Sequence, residues 1–199
     1  MKNLLSVSRW RLFTRFGFLL SSHLLVSISL ANLDFSPQEA MSDMEGVNMR
    51  ELTFNTGLGP KAIYQPPREW KYSGGKDYLD LQPGGVTQVR ARVSRWPFSP
   101  NLSFDPEGCK QMTEQVINSL PDGSEQVKIR EELNPLQICG KRTYLVELTY
   151  VYYGERFKCY TLLLDRKPEV LCFRLSCREA NYETLREAFR RSLYSWQNL

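Results

Sequence analysis

Residues 141–177 read "KRTYLVELTYVYYGERFKCYTLLLDRKPEVLCFRLSC". Three runs rich in Val, Leu, Tyr and Phe are separated by Gly154-Glu155 and by the stretch from Asp165 to Pro168. Short runs of this composition bounded by turn residues are strands, so the stretch predicts a three-stranded antiparallel meander. Successive strand side chains point to opposite faces. Tyr144, Val146, Leu148, Tyr150 and Tyr152 therefore share one face, which suits either a core beneath a helix or the wall of a ligand cleft.

The same parity decides what the sulfurs in "LCFRLSC" can do. Cys172 and Cys177 are five positions apart, face opposite sides of the sheet, and cannot share a metal or bond to each other while the strand is regular. If the turn pairs Leu164 with Glu169, Cys159 sits opposite Arg174 and diagonal to Cys172. Diagonal Cα atoms lie roughly 7 to 8 Å apart, too far for a relaxed disulfide. A register shift of one pair would bring Cys159 and Cys172 together, which makes theirs the nearest to a feasible bridge. Five cysteines is an odd number, and free cysteine packs as a small hydrophobe. Mainly buried thiols are expected.

Outward from the meander, "NYETLREAFRRSLYSW" repeats apolar residues at Tyr182, Leu185, Phe189, Leu193 and Trp196, the stripe of an amphipathic helix with Asn181 as its cap. On the other side, "SEQVKIREEL" reads as a strand. Before it, Asp105 caps a helix with Pro106 at its first position and Cys109, Met112, Val116 and Leu120 on one stripe, ended by Pro121-Asp122-Gly123. In "VTQVRARV", Val89, Ala91 and Val93 take one face and Gln88, Arg90 and Arg92 the other, the period of a half-buried strand. "DYLDLQPGG", "MRELTFNTGLG" and "KAIYQPPREWKY" give further short strands, broken at glycines and at Pro66-Pro67. Residues 32–50 carry no period and read as a flexible lead-in. The expectation is a single α+β domain over 51–199, an antiparallel β-sheet with helices packed on its faces.

The first 31 residues have another character. Lys2, Arg9, Arg11 and Arg15 precede an apolar stretch from Phe16 to Leu30 and the small-x-small tripeptide Ser29-Leu30-Ala31, the pattern of a cleaved signal peptide. The apolar run of about 15 residues is short of the roughly 20 that span a bilayer. Retention of this segment would instead tether the domain to a membrane. An exported protein, periplasmic or extracellular, is expected. The segment holds four of the 26 basic residues, none of the 22 acidic ones and the single histidine, His23. Without it the charges balance, and the surplus of Lys and Arg that nucleic-acid binding needs is gone.

Catalytic signatures are weak. A cysteine or serine nucleophile needs an adjacent base, most often histidine, and none lies beyond residue 31. There is no C-x-x-C, and zinc would have to use cysteines and carboxylates without short ligand spacing. "SGGKD" departs from a phosphate loop because Asp77 stands where Ser or Thr would reach magnesium; a hairpin turn fits it better. Adjacent Glu131 and Glu132 point to opposite faces, which argues against a glycosidase couple. Asn101-Leu102-Ser103 fits a short glycosylation pattern. No catalytic, cofactor or metal-binding residue is assigned. Arg90, Arg92 and Arg95 beside Trp96 and Phe98 form a candidate cationic and aromatic patch for a protein partner. The competing reading is a charged strand face that discourages edge pairing.

The element order, with "YQPPREW" early in the domain and the ending "FRLSCREANYETLREAFRRSLYSW", resembles the PsbP-like superfamily. The likeness covers roughly residues 50–197. It rests on a strand entry at Pro66, Pro67 and Trp70, a mid-chain helix, an antiparallel meander, and a last strand running into a helix that ends near Phe189, Leu193 and Ser195. It implies a PsbP-like α/β/α sandwich. The superfamily includes the extrinsic photosystem II protein, a nuclear-import factor that binds the Ran GTPase, and exported bacterial proteins of unknown role. Its characterised members act mainly by binding other proteins, and no site motif of theirs maps onto residues here. A non-enzymatic accessory or binding domain, with an unknown protein partner and no cofactor, is the leading expectation. A cell-envelope enzyme using carboxylate or thiol chemistry is the alternative.

Overall fold

The meander read from residues 141–177 forms the middle of a larger sheet. The computed structural model describes residues 32–44, 47–57, 59–97 and 102–199. Strands β1 (Asp34–Met44), β2 (Val47–Asn55) and β3 (Ala62–Tyr64) make a small antiparallel sheet. Then β4 (Lys71–Gly75), β5 (Tyr78–Gln82) and β6 (Arg90–Arg95) form one meander. Helix α1 (Pro106–Asn118) crosses over, and β7 (Glu125–Leu133), β8 (Thr143–Tyr152), β9 (Glu155–Arg166) and β10 (Glu169–Arg178) form a second. β10 returns antiparallel beside β6, giving the order β4-β5-β6-β10-β9-β8-β7. Helix α2 (Glu179–Leu193) follows at once.

Alternation along β10 divides the molecule into two layers of core. Leu171, Phe173, Leu175 and Cys177 point toward α2, where Tyr182, Leu185, Phe189 and Leu193 meet them. The small sheet closes the same face with Leu33, Phe35, Leu52 and Phe54. Trp196 stacks on Tyr64 at 4.6 Å and on Phe54 at 5.3 Å between ring centroids, and Ile63 and Gln197 exchange backbone hydrogen bonds of 3.2 and 3.0 Å. The chain end is thereby stitched to β3. On the opposite face, Cys109, Met112 and Val116 of α1 cover Tyr144, Val146 and Leu148 of β8. Asp105 caps α1, its Oδ1 accepting from Gly108 N at 2.8 Å. Gly108 packs so closely on Ser103 that a Cβ there would lie 1.9 Å from the Ser103 carbonyl oxygen.

Three expectations are corrected. Residues 32–50 are not a loose lead-in: Leu33 and Phe35 are fully buried, and β1 pairs with β2. β1 is an edge strand that tolerates Pro37 through a register shift between Asp34 and Gln38, so it needs no regular apolar period. Asn181 does not cap α2. The helix starts at Glu179, fed directly by β10, with Arg178 at the cap position and no side-chain capping bond. Finally, the β9–β10 turn is tighter than assumed: Arg166 pairs with Glu169, so Cys159 stands opposite Ser176 and Cys172 opposite Leu163. This separates Cys159 from Cys172 by a further pair, and all five cysteines are free thiols.

Among the described residues no helix is long and apolar enough to cross a membrane. The expected signal peptide at 1–31 lies outside the described residues.

Candidate functional site: an arginine groove beside α1

The face of the large sheet under α1 is only partly covered. Helix α1 spans 13 residues and ends at Ser119, before Pro121. It lies over β8 and leaves the β6–β10 side of that face open. Strand parity places Arg90, Arg92 and Ser94 of β6 and Cys172, Arg174 and Ser176 of β10 there. The register sets Arg92 directly opposite Arg174, and Arg90 opposite Ser176. A groove of about 380 Å³ results, lined by Arg90, Arg92, Trp96, Ser119, Tyr150 and Arg174 among others. It continues through Arg90 and Tyr150 into a depression of about 520 Å³ walled by Tyr152, Tyr153 and Phe157. Tyr150 and Phe157, paired across β8 and β9, stack at 5.7 Å.

The three arginines are held differently. Arg92 makes a bidentate pair with Asp80, at 2.5 Å from Nε and 2.6 Å from Nη2, and lies 4.1 Å over the Tyr78 ring. Arg174 is half-buried, and its partners are a thiol and a hydroxyl group: Nε donates to Cys159 Sγ at 3.2 Å and Nη1 to Ser119 Oγ at 2.8 Å. Among the described residues it has no carboxylate within ion-pair distance. Arg90 is exposed, and among the described residues it has neither an ion pair nor a hydrogen bond. Glu155, at the far end, is held by Arg178 at 2.7 Å, and Asp122 is exposed on the turn beyond α1. Like charges directly opposite on neighbouring strands repel. Here one carboxylate serves three guanidinium groups.

The thiols along this sheet are poorly placed for nucleophilic work. Burial pushes Cys172 up to about 12 and Cys177 up to about 11, and burial also raises Cys109. Each is protonated at neutral pH, and the thiolate is the reactive species. Among the described residues no group of three His, Cys, Asp or Glu side chains could hold a metal ion.

The patch expected from sequence is partly assembled. Arg90, Arg92 and Trp96 converge on the groove. Trp96 is a wall rather than an exposed anchor: it is buried, and its indole Nε1 donates to Gln115 Oε1 of α1 at 2.9 Å. Arg95 points to the other face, where it pairs with Glu169 at 3.1 Å and Asp77 at 2.7 Å and donates to the Leu33 carbonyl at 2.7 Å. It fastens β1 to the sheet instead of meeting a partner. Phe98 lies outside the described residues. Sequence reasoning missed Arg174 and Ser176 as groove residues and left Tyr150 between core packing and a cleft wall. The signal was present in "LCFRLSC", where Arg174 and Ser176 interrupt an otherwise apolar run on the same face.

No family model and no curated protein matches the sequence. Solved structures do. Cyanobacterial PsbP (CyanoP) from Synechocystis sp. PCC 6803 is 12% identical, with a TM-score of 0.50 over 87% of this chain and 96% of that one. PA94 from Pseudomonas aeruginosa, of unknown function, is 12% identical, with a TM-score of 0.46 over 81% of this chain and 98% of that one. LpqN, involved in cell envelope biogenesis of Mycobacterium tuberculosis, is 12% identical, with a TM-score of 0.42 over 81% of this chain and 90% of that one. The first of these carries the assignment, which concerns architecture alone: the chain has a PsbP-like α+β fold.

Proposed function

We propose that this PsbP-like chain is an exported, non-enzymatic binding domain that acts through contact with another protein, and that the groove beside α1 is the contact surface. One observation carries the reading: Arg174, half-buried in an open groove, has only a thiol and a hydroxyl for partners among the described residues. A guanidinium removed from water without a counter-charge costs stability, and such a cost persists where a partner supplies the missing interaction. Arginine and aromatic side chains side by side are also the composition of interface hot spots. The protonated buried thiols support binding over thiol catalysis. Export is supported by the four basic residues, the apolar run and Ser29-Leu30-Ala31 of the first 31 residues.

The test is co-purification from the native envelope with a groove-filled variant as control. Ser176 faces the groove opposite Arg90, so Ser176→Trp fills it from the floor. The wild-type chain is expected to recover a specific protein that S176W does not. Recovery of the same protein by a folded S176W would rule the groove out as the contact surface. N-terminal sequencing of the exported protein should begin at Asn32; a start at Met1 would mean a membrane tether.

A further inference from the structure

We infer that the groove takes an extended acidic segment of a partner polypeptide, with a carboxylate seated between Arg174, Arg92 and Arg90 and apolar neighbours against Trp96 and Tyr150. This rests on the groove being a protein-contact surface and specifies the chemistry of what it contacts. Arg92 and Arg174 are direct cross-strand neighbours, so their side chains leave the sheet about 5 Å apart. Asp80 neutralises Arg92 from the β5 side, away from Arg174. The block therefore keeps an excess of positive charge in the middle of a sheet, where repulsion is least screened by solvent. One carboxylate reaching down between the strands can bridge them, accepting a charge-assisted hydrogen bond from a guanidinium N–H on each side.

Shape and surroundings distinguish a polypeptide from a lone anion. The trough of about 380 Å³ continues into another of about 520 Å³, more room than a single oxyanion fills. Beside the arginines and serines its lining includes Trp96, Pro97, Pro121 and Tyr150, apolar surface that packs against side chains and is left uncovered by a phosphate. Residues 32–199 carry balanced charge, so the surface outside the groove offers no broad attraction to an anionic polymer or bilayer. The positive charge is local, and so is the acidic group it suits.

A randomised heptapeptide library panned on the full-length chain provides the probe. Selected sequences are expected to be enriched in Asp and Glu. By fluorescence anisotropy, a selected peptide should bind at least about tenfold more weakly to Arg174→Gln, since a half-buried charge partner is lost. It should bind a few-fold more weakly to Arg90→Gln, an exposed position that leaves the fold intact, while Arg174→Lys retains part of the affinity. Raising NaCl should weaken binding further. Selected peptides without acidic enrichment, or acidic peptides indifferent to both R174Q and R90Q, would overturn the acidic specificity while leaving the groove as a contact surface. Saturation of the groove by sodium sulfate, or binding of phosphatidylglycerol vesicles that R90Q abolishes, with no peptide selected, would overturn it in favour of a free anion or a lipid headgroup. The S176W co-purification decides separately whether the groove contacts a protein at all.

Discussion

The two faces of the seven-stranded sheet treat their charges in opposite ways. On the α2 face, Glu147 of β8 accepts from the Tyr182 hydroxyl at 2.6 Å, from Arg186 at 3.2 Å and from Arg130 at 3.0 Å. On the α1 face, Arg174 occupies a comparable half-buried place with no carboxylate within ion-pair distance among the described residues, and only the Ser119 end of α1 beside it. The first arrangement pairs its charges internally, although Arg186 Nε and the Tyr160 hydroxyl are buried there without a hydrogen-bond partner among the described residues. The second is incomplete by itself, and that incompleteness is what marks it as a place for another molecule.

Substitutions can break this contrast, beginning with the largest effect. Trp196→Ala removes the buried ring that stacks on Tyr64 and Phe54 and should cost about 3–5 kcal/mol in urea unfolding, because it leaves a void between the small sheet and the rest of the core. A loss near that of a surface substitution would mean the small sheet is not integral to the core.

Alkali should come next. Burial raises Cys172 to about 12 and Cys177 to about 11 from an ordinary value of 9, so the folded thiols hold protons that the unfolded chain gives up first. Their stabilisation is complete below pH 9 and is lost as pH rises through about 11 and about 12, a fall of up to about 4 kcal/mol from Cys172 and up to about 3 kcal/mol from Cys177. Urea midpoints from pH 7 to 12 measure it, and Cys172→Ala or Cys177→Ala should flatten the decline. An unchanged slope in both variants would show that the thiols are not what titrates.

Glu147→Ala leaves the Tyr182 hydroxyl and Arg186 without their acceptor. Arg130 is mostly exposed and Arg186 partly so, which limits the cost to about 2 kcal/mol. Arg174→Met is the sharpest comparison and the smallest change. It should raise stability by about 1 kcal/mol while abolishing acidic-peptide binding, since it replaces an uncompensated charge with an apolar side chain of similar reach. If R174M destabilised the fold as E147A does, Cys159 and Ser119 would be adequate partners for Arg174, and the two faces would not differ as described.

Much of this was legible in the residues. The strand composition of 141–177, the stripe from Tyr182 to Leu193, the Asp105 cap and the Pro66-Pro67-x-x-Trp70 entry each state a local preference that the tertiary structure keeps, whereas Trp196 falls beyond the end of α2. The errors lie where local preference is weak. β1 carries no apolar period: it is an edge strand, and its anchors are Phe35 and, just before it, Leu33. Arg95 looked like its neighbours Arg90 and Arg92, yet its odd position turns it to the other face, against Glu169. The candidate site was half visible: Arg90, Arg92 and Trp96 were named, while Arg174 was noticed as an interruption and not as a partner of the same surface.

By itself the sequence determined the class of the fold, the strands of both meanders, the two helices, and which residues of each strand share a face, because these follow from periods of 2 and 3.6 residues along the chain. Only the tertiary structure decided that Arg92 stands opposite Arg174, that Cys159 is kept from Cys172, and that α1 stops short of the β6–β10 side. Those depend on register between strands distant in sequence and on where one layer comes to rest on another. A shift of one pair in the β9–β10 turn changes every cross-strand neighbour while leaving each strand's own pattern of apolar and polar residues the same.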